Sequence, residues 1–228
     1  MTAPVYSQTA SAPAPRGRPA TAGLRERILA TAALIFARRD YHEVLMDEVA
    51  RESGVAKGTL YRYFPSKREL YLGVMFEGID RLHDALRAAV AGSGEPVRKL
   101  ARFVSTLLEH FWDQRFFFAL IHRNEYRADD PDSREWERRR AQISGLVQHL
   151  VEEAIAAGEL RRIEPRIAAE MLLGMLRGVS RYRTGDDTLP ALVRAVLDVF
   201  LGGVGTECGR RTLAAAVPAV ALTTKSKS

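Results

Sequence analysis

The sequence predicts an all-α protein, and three observations carry that reading. Apolar residues recur at helical spacing almost without interruption from Leu24 to Phe200. No Val-, Ile- or Thr-rich stretch alternates with a period of two, as a half-buried strand would. The interruptions fall at Gly54, Pro65, Gly92-Ser93-Gly94, Asp129–Ser133, Gly158 and Thr184–Asp187, which stop and start helices. About nine helices and no strand follow.

Residues 1–20 hold Pro4, Pro13, Pro15 and Pro19 among small residues, which reads as a disordered arm ending in Arg16-Gly17-Arg18. The first apolar stripe is Leu24, Ile28, Leu29, Ala32, Ile35 and Phe36. Two short helices follow between 46 and 64. Later stripes are Val97 to Phe111, Ile143 to Ile155, Ile167 to Val179, and Leu189 to Phe200. Residues 203–228 fade into Thr-Thr-Lys-Ser-Lys-Ser and read as a flexible tail. The expected domains are therefore 21–71 and 72–202, flanked by the arm and the tail.

Residues 46–70, MDEVARESGVAKGTLYRYFPSKREL, carry the strongest signal. The first helix covers about 46–53 and ends at Gly54, which suits the left-handed conformation wanted after a helix C-terminus. A tight turn at Val55-Ala56 leads to a second helix from Lys57 or Gly58 to Phe64. Leu60 and Phe64, four apart, share a face that packs on Val49 and Ala50 of the first helix. Lys57, Thr59, Arg62 and Tyr63 are left on outward or flanking faces, with Tyr61 at the edge. A seven-residue helix exposing cations, hydroxyls and phenols is marginal alone, but packed across a partner it has the form of a recognition helix for the DNA major groove. Ser66 and Glu69 then have capping-box spacing, and Pro65 and Leu70 that of a hydrophobic staple, so the next helix starts firmly at Ser66.

Charge placement agrees. The chain carries 34 Lys and Arg against 28 Asp and Glu, a formal net charge of +6. Residues 1–71 hold 11 basic and 7 acidic residues, 72–202 hold 19 and 20, and 203–228 hold 4 and 1. The excess thus avoids the middle of the protein and collects at the ends, and a basic N-terminal third points to a polyanion.

Phe36, Tyr41, Val49-Ala50, Gly54-Val55, Lys57-Gly58-Thr59-Leu60-Tyr61, Tyr63-Phe64 and Ser66-Lys67 resemble the DNA-binding signature of the tetracycline-repressor (TetR) family, over residues 24–72. The resemblance implies a dimeric regulator of transcription whose second domain binds a small molecule. It also implies DNA contacts at the positions of Lys57, Thr59, Tyr61, Tyr63 and Lys67. Side-chain chemistry assigns Lys67 and Tyr61 to phosphate, Thr59 to a base edge, and Lys57 or Arg62 to guanine. Arg16 and Arg18 either enter a minor groove or stay solvated. One departure stands out: Leu45-Met46 replaces the Ser or Thr with which the family usually opens the first helix of the motif, so a side-chain cap is missing.

In the second domain, Phe103, Phe111, Trp112, Phe116, Phe117 and Phe118 crowd sixteen residues and cannot all face inward on one helix. Phe103, Trp112, Phe117 and His122, with the adaptable Met171 and Met175, are candidates to line a pocket for a hydrophobic or aromatic effector; ordinary core is the alternative for each. Gly174 and Gly178 open a small-residue strip, and with Leu192, Val196 and Phe200 they are candidates for a homodimer interface of the last two helices, which the family uses in that way. The run Glu135–Arg140 reads as a charged helix face.

Catalysis finds little support: no GxSxG elbow, phosphate-binding glycine loop or HExxH occurs. Five scattered histidines and a single cysteine, Cys208, suggest neither metal nor cofactor. No apolar run is long enough for a membrane span and no secretory leader is evident, so a cytoplasmic location is expected. The resulting expectation is a homodimeric repressor released from a palindromic operator by a small molecule. A DNA-binding dimer that answers to a protein partner is the first rival, and a helical enzyme with a vestigial motif the second.

Overall fold

The computed structural model describes residues 23–113 and 131–220. Within them lie nine helices: α1 (Leu24–Arg38), α2 (Met46–Glu52), α3 (Lys57–Tyr63), α4 (Lys67–Val90), α5 (Pro96–Asp113), α6 (Pro131–Ala156), α7 (Pro165–Tyr182), α8 (Leu189–Val204) and α9 (Glu207–Val220). The described residues contain no strand; a single antiparallel bridge joins Leu160 and Gly205. None of the helices is long and apolar enough to cross a membrane.

Two hydrophobic cores organise the chain. The smaller gathers Ile28, Leu29, Ala32 and Phe36 of α1, Val49 and Ala50 of α2, Leu60 of α3, Phe64, and Leu70 and Val74 of α4. The larger surrounds α5, which touches α4, α6, α7, α8 and α9. Helix α4 belongs to both: Leu70 and Val74 enter the small core, while Leu72, Met75, Ile79, Leu82 and Leu86 enter the large one. Tyr71 packs against both and meets the rings of Phe36 and Tyr41 edge-on at 5.2 and 4.9 Å. Gly73 lets α4 approach α1 closely, since a Cβ there would stand 3.0 Å from both Leu29 Cδ2 and Phe64 Cε1.

Helix α4 begins as its capping box requires, with the Ser66 hydroxyl accepting from the Glu69 amide at 3.2 Å. The charged run 135–140 departs from the expected solvated face. Trp136 is buried, and Arg139, its side chain only 12% exposed, bonds both carboxylate oxygens of Asp80 on α4 at 2.8 and 3.1 Å. The same guanidinium pairs with Glu135 and lies over the Phe76 ring, and Arg140 reaches Glu170 on α7. These arginines tie α6 to its neighbours.

The expected tail from 203 is corrected more substantially. Residues 207–220 form α9, which packs on α5 through the buried Leu213. Polar bonds hold its start: Thr206 donates to the Gly158 carbonyl at 2.7 Å, and its amide donates to the Glu159 carbonyl at 2.9 Å. The buried Glu159 carboxylate accepts from the Val97 amide of α5 at 2.9 Å and from the Thr212 hydroxyl of α9 at 3.0 Å. Gly209 is required beneath this clamp, where any Cβ would lie 2.2 Å from the Glu159 carbonyl oxygen. Leu213, Ala216, Val217 and Val220 do recur at helical spacing, a short stripe among alanines, and the polar bonds at Thr206 and Thr212 fix where the helix begins.

Candidate nucleic-acid interface

Helices α2 and α3 form a helix-turn-helix. Gly54 adopts φ 65°, the Val55 amide donates back to the Ala50 carbonyl at 2.9 Å, and the Ser53 hydroxyl closes α2 on the Val49 carbonyl at 2.6 Å. The chain therefore turns within the four residues 53–56. Leu60 is fully buried against α2, so α3 must turn its other face outward. Lys57, Tyr61 and Arg62 are exposed on it, while Thr59 and Tyr63 are half-buried. Tyr63 packs partly on the small core and carries the Arg62 guanidinium over its ring at 5.6 Å. No side chain caps α2, whose N-cap is Leu45, exposed as the missing hydroxyl foretells.

Two cations are not simply waiting in solvent. The Lys57 ammonium sits 2.9 Å from the Asp47 carboxylate of α2 and 6.0 Å from the Tyr61 ring centroid. The hydrogen bond to Asp47, and then its charge, raise the Lys57 pKa above the ordinary lysine value. Lys67 donates to the His42 and Val44 carbonyls at 3.2 and 3.1 Å and lies 4.6 Å from the Tyr41 ring centroid. It therefore braces the α1–α2 loop, with donor capacity left for a phosphate. Sequence reasoning missed both partnerships. Asp47 was visible only as a charge in the first turn of α2, and the carbonyls that Lys67 reaches lie 25 and 23 residues away.

Residues 28–74 match the family model described as bacterial regulatory proteins, tetR family, and residues 93–204 match the tetracyclin repressor-like C-terminal domain. The chain is 32% identical over 179 residues to the HTH-type transcriptional repressor KstR of Mycobacterium tuberculosis, covering 75% of this chain and 78% of that protein. The chain belongs to the TetR family. The HTH-type transcriptional activator FasR of Mycolicibacterium smegmatis is 33% identical over 102 residues, and there the match spans only 45% of this chain and about half (47%) of FasR. Among solved structures, AibR in complex with isovaleryl coenzyme A and operator DNA superposes with a TM-score of 0.64 at 19% identity, covering 77% of this chain and 97% of AibR. The two family models adjoin α4, the helix shared by both cores of this TetR-family fold.

The remaining candidates fall into different environments. Phe103 is fully buried within the large core. Trp112 is half-buried at the end of α5, with the Arg183 guanidinium 4.1 Å from its ring centroid and bonded to its carbonyl at 3.1 Å. Met175 packs against the large core, whereas Met171 is 57% exposed on α7. Phe117 and His122 lie outside the described residues, as do Phe116, Phe118, Arg16 and Arg18. Gly174 is exposed and Gly178 partly so, on the same helix as Met171. Leu192 is half-buried, but Val196 and Phe200 are 2% and 5% exposed and belong to the chain's own core. Val199, 66% exposed, is the apolar residue α8 turns outward. Val196 and Phe200 therefore do not face outward: an apolar stripe reveals which side is buried, and on this helix its own chain buries it.

Proposed function

We propose that the protein is a sequence-specific DNA-binding transcriptional repressor, a homodimer released from a palindromic operator by a small-molecule effector. The observation that carries this is α3: seven residues locked by Leu60 onto α2, presenting Lys57, Tyr61 and Arg62 to solvent from a domain with a basic excess. That arrangement serves a major groove, with phosphate contacts setting register and side chains from the helix face reading bases. The exposed strip of Ile167, Met171, Gly174, Tyr182 and Val199 suits the two-fold contact, because apolar side chains there otherwise face water. Two recognition helices would then meet half-sites about one DNA turn, ~34–36 Å, apart.

The effector we infer is apolar over much of its surface. The phenylalanine-rich stretch and the near-neutral charge of 72–202 support this, as does a fold neighbour bound to isovaleryl coenzyme A. The protein works in the cytoplasm beside the chromosome and catalyses no reaction. The test is a footprint on DNA flanking its own gene, repeated with short-chain acyl coenzyme A thioesters and free fatty acids. Protection that one of these compounds relieves supports the proposal; no protected site at any salt concentration overturns it. Light scattering at micromolar concentration checks the dimer, and a monomer there contradicts the two-fold reading.

A further inference from the structure

A carboxylate stands on the face that must meet phosphates, where it favours the N-terminus of α2 but repels the DNA backbone. Asp47 and Lys57 are each 62% exposed at the side chain, and an ion pair so wet contributes little to folding. The neighbouring charges on α2 are engaged elsewhere, Glu48 with Arg39 and Arg51 with Glu52. Among the described residues Asp47 pairs with the first residue of the recognition helix, and in the first turn of α2 it also lies at the amide end of its own helix.

Resting on the DNA-binding reading above, we propose that Asp47 and Lys57 act as one unit that reads a G·C base pair in the major groove. Lys57 donates to guanine O6 or N7, and Asp47 accepts from the cytosine N4 amino group. The argument is one of complementarity. An ammonium has three N–H donors, so Lys57 can keep its bond to Asp47 and still offer two. A carboxylate has about four acceptor positions, of which Lys57 occupies few. In the major groove guanine presents acceptors, and cytosine presents a donor on the same base pair. An adenine N6 amino group beside Lys57 with thymine O4 beside Asp47 sets like against like, and the reversed T·A pair offers Lys57 the single O4 acceptor where guanine offers both O6 and N7.

The pair also penalises unspecific binding. With Asp47 beside it, the pair carries no net charge, so Lys57 releases less counterion on meeting a phosphate, while the carboxylate repels the backbone. Asp47 is in this sense a positioning residue: it directs Lys57 towards bases and away from phosphates.

The experiment selects bound duplexes from a randomised pool with the full-length protein, with Asp47→Ala and with Lys57→Met, and measures affinity for an unrelated duplex against salt. Wild type should select a motif with a G·C position favoured roughly 5- to 150-fold, the range of a good base contact. Asp47→Ala should flatten that one position, bind the unrelated duplex more tightly, and steepen its log–log salt slope by about 0.9 per recognition helix, as Lys57 turns to phosphate. Lys57→Met should flatten the same position without steepening the slope. Circular dichroism melts should match wild type, the pair being exposed. An unchanged motif with Asp47→Ala overturns the inference, and so does a folded Asp47→Ala protein that binds no duplex. Failure of wild type to select any motif would instead overturn the DNA-reading function itself.

Discussion

Replacing Glu159 tests whether the last helix is held by hydrogen bonds or merely lies against the bundle. Its carboxylate accepts from the Val97 amide and the Thr212 hydroxyl, and Val97 is fully buried. In Glu159→Ala the Val97 amide loses its acceptor away from water, which costs about 1–3 kcal/mol. Thr212 loses less, about 0.5–1.5 kcal/mol, because its hydroxyl can still donate to the Cys208 carbonyl at 3.2 Å. The expected destabilisation is therefore about 2–4 kcal/mol. Glu159→Gln is the control. Its amide oxygen can accept from Val97 and its amino group can donate to Thr212, whose own proton turns to Cys208. Only the charge beside the start of α5 is lost, about 0.3–1 kcal/mol. Urea unfolding followed by circular dichroism at one fixed protein concentration measures both variants. Trypsin cleavage at Arg210 and Arg211, both exposed on α9, should accelerate in the alanine variant and stay near wild type in the glutamine one. Equal losses in the two variants would refute the reasoning, since charge and not the paired bonds would then hold α9.

Leu60→Ala should cost about 2–5 kcal/mol by emptying the contact between α2 and α3, read as a lower urea midpoint together with loss of footprint. Ser66→Ala removes the cap of α4 and should cost about 1 kcal/mol in the same titration. Lys67→Ala should weaken operator binding and also lower stability by about 1–3 kcal/mol, because two loop carbonyls lose a charged donor; a gel shift and a melt together check this. Arg139→Met should cost only about 1–2 kcal/mol, since Asp80 is half-exposed and rehydrates; a double-mutant cycle with Asp80→Ala isolates the pair.

The helical fold and the outward face of α3 were legible because both follow from local rules. Leu60 and Phe64 had to face Val49 and Ala50, and they do. Ser66 had the spacing of a cap and is one. What escaped the sequence depended on partners far along the chain. Helix α9 is fastened by Glu159 and by the Gly158 carbonyl, and only the short stripe of Leu213, Ala216, Val217 and Val220 hints at it in the sequence. Arg139 looked like one of three interchangeable surface arginines until Asp80, 59 residues away, singled it out. Val196 and Phe200 marked the apolar side of α8 correctly, yet that side faces inward, and periodicity cannot distinguish a chain's own core from a second copy. Lys57 and Tyr61 stand where expected, but the carboxylate that tunes Lys57 comes from the other helix of the motif.

The single helix that threads both cores gives the molecule a mechanical gearing. Twenty-four residues of α4 extend about 36 Å at 1.5 Å per residue, with no interruption along the way. It is anchored to α5 and α6 at one end and to α1 at the other, so a rigid rotation of one end would carry the other with it. A tilt of about 5° at its distal end shifts the far end by roughly 3 Å over that length, comparable to the reach of one hydrogen bond. A base-reading pair such as Asp47 and Lys57 tolerates far less misplacement than a phosphate contact. If Asp47 and Lys57 read a base pair as proposed, small changes of packing around α5 would cost selectivity before they cost attachment.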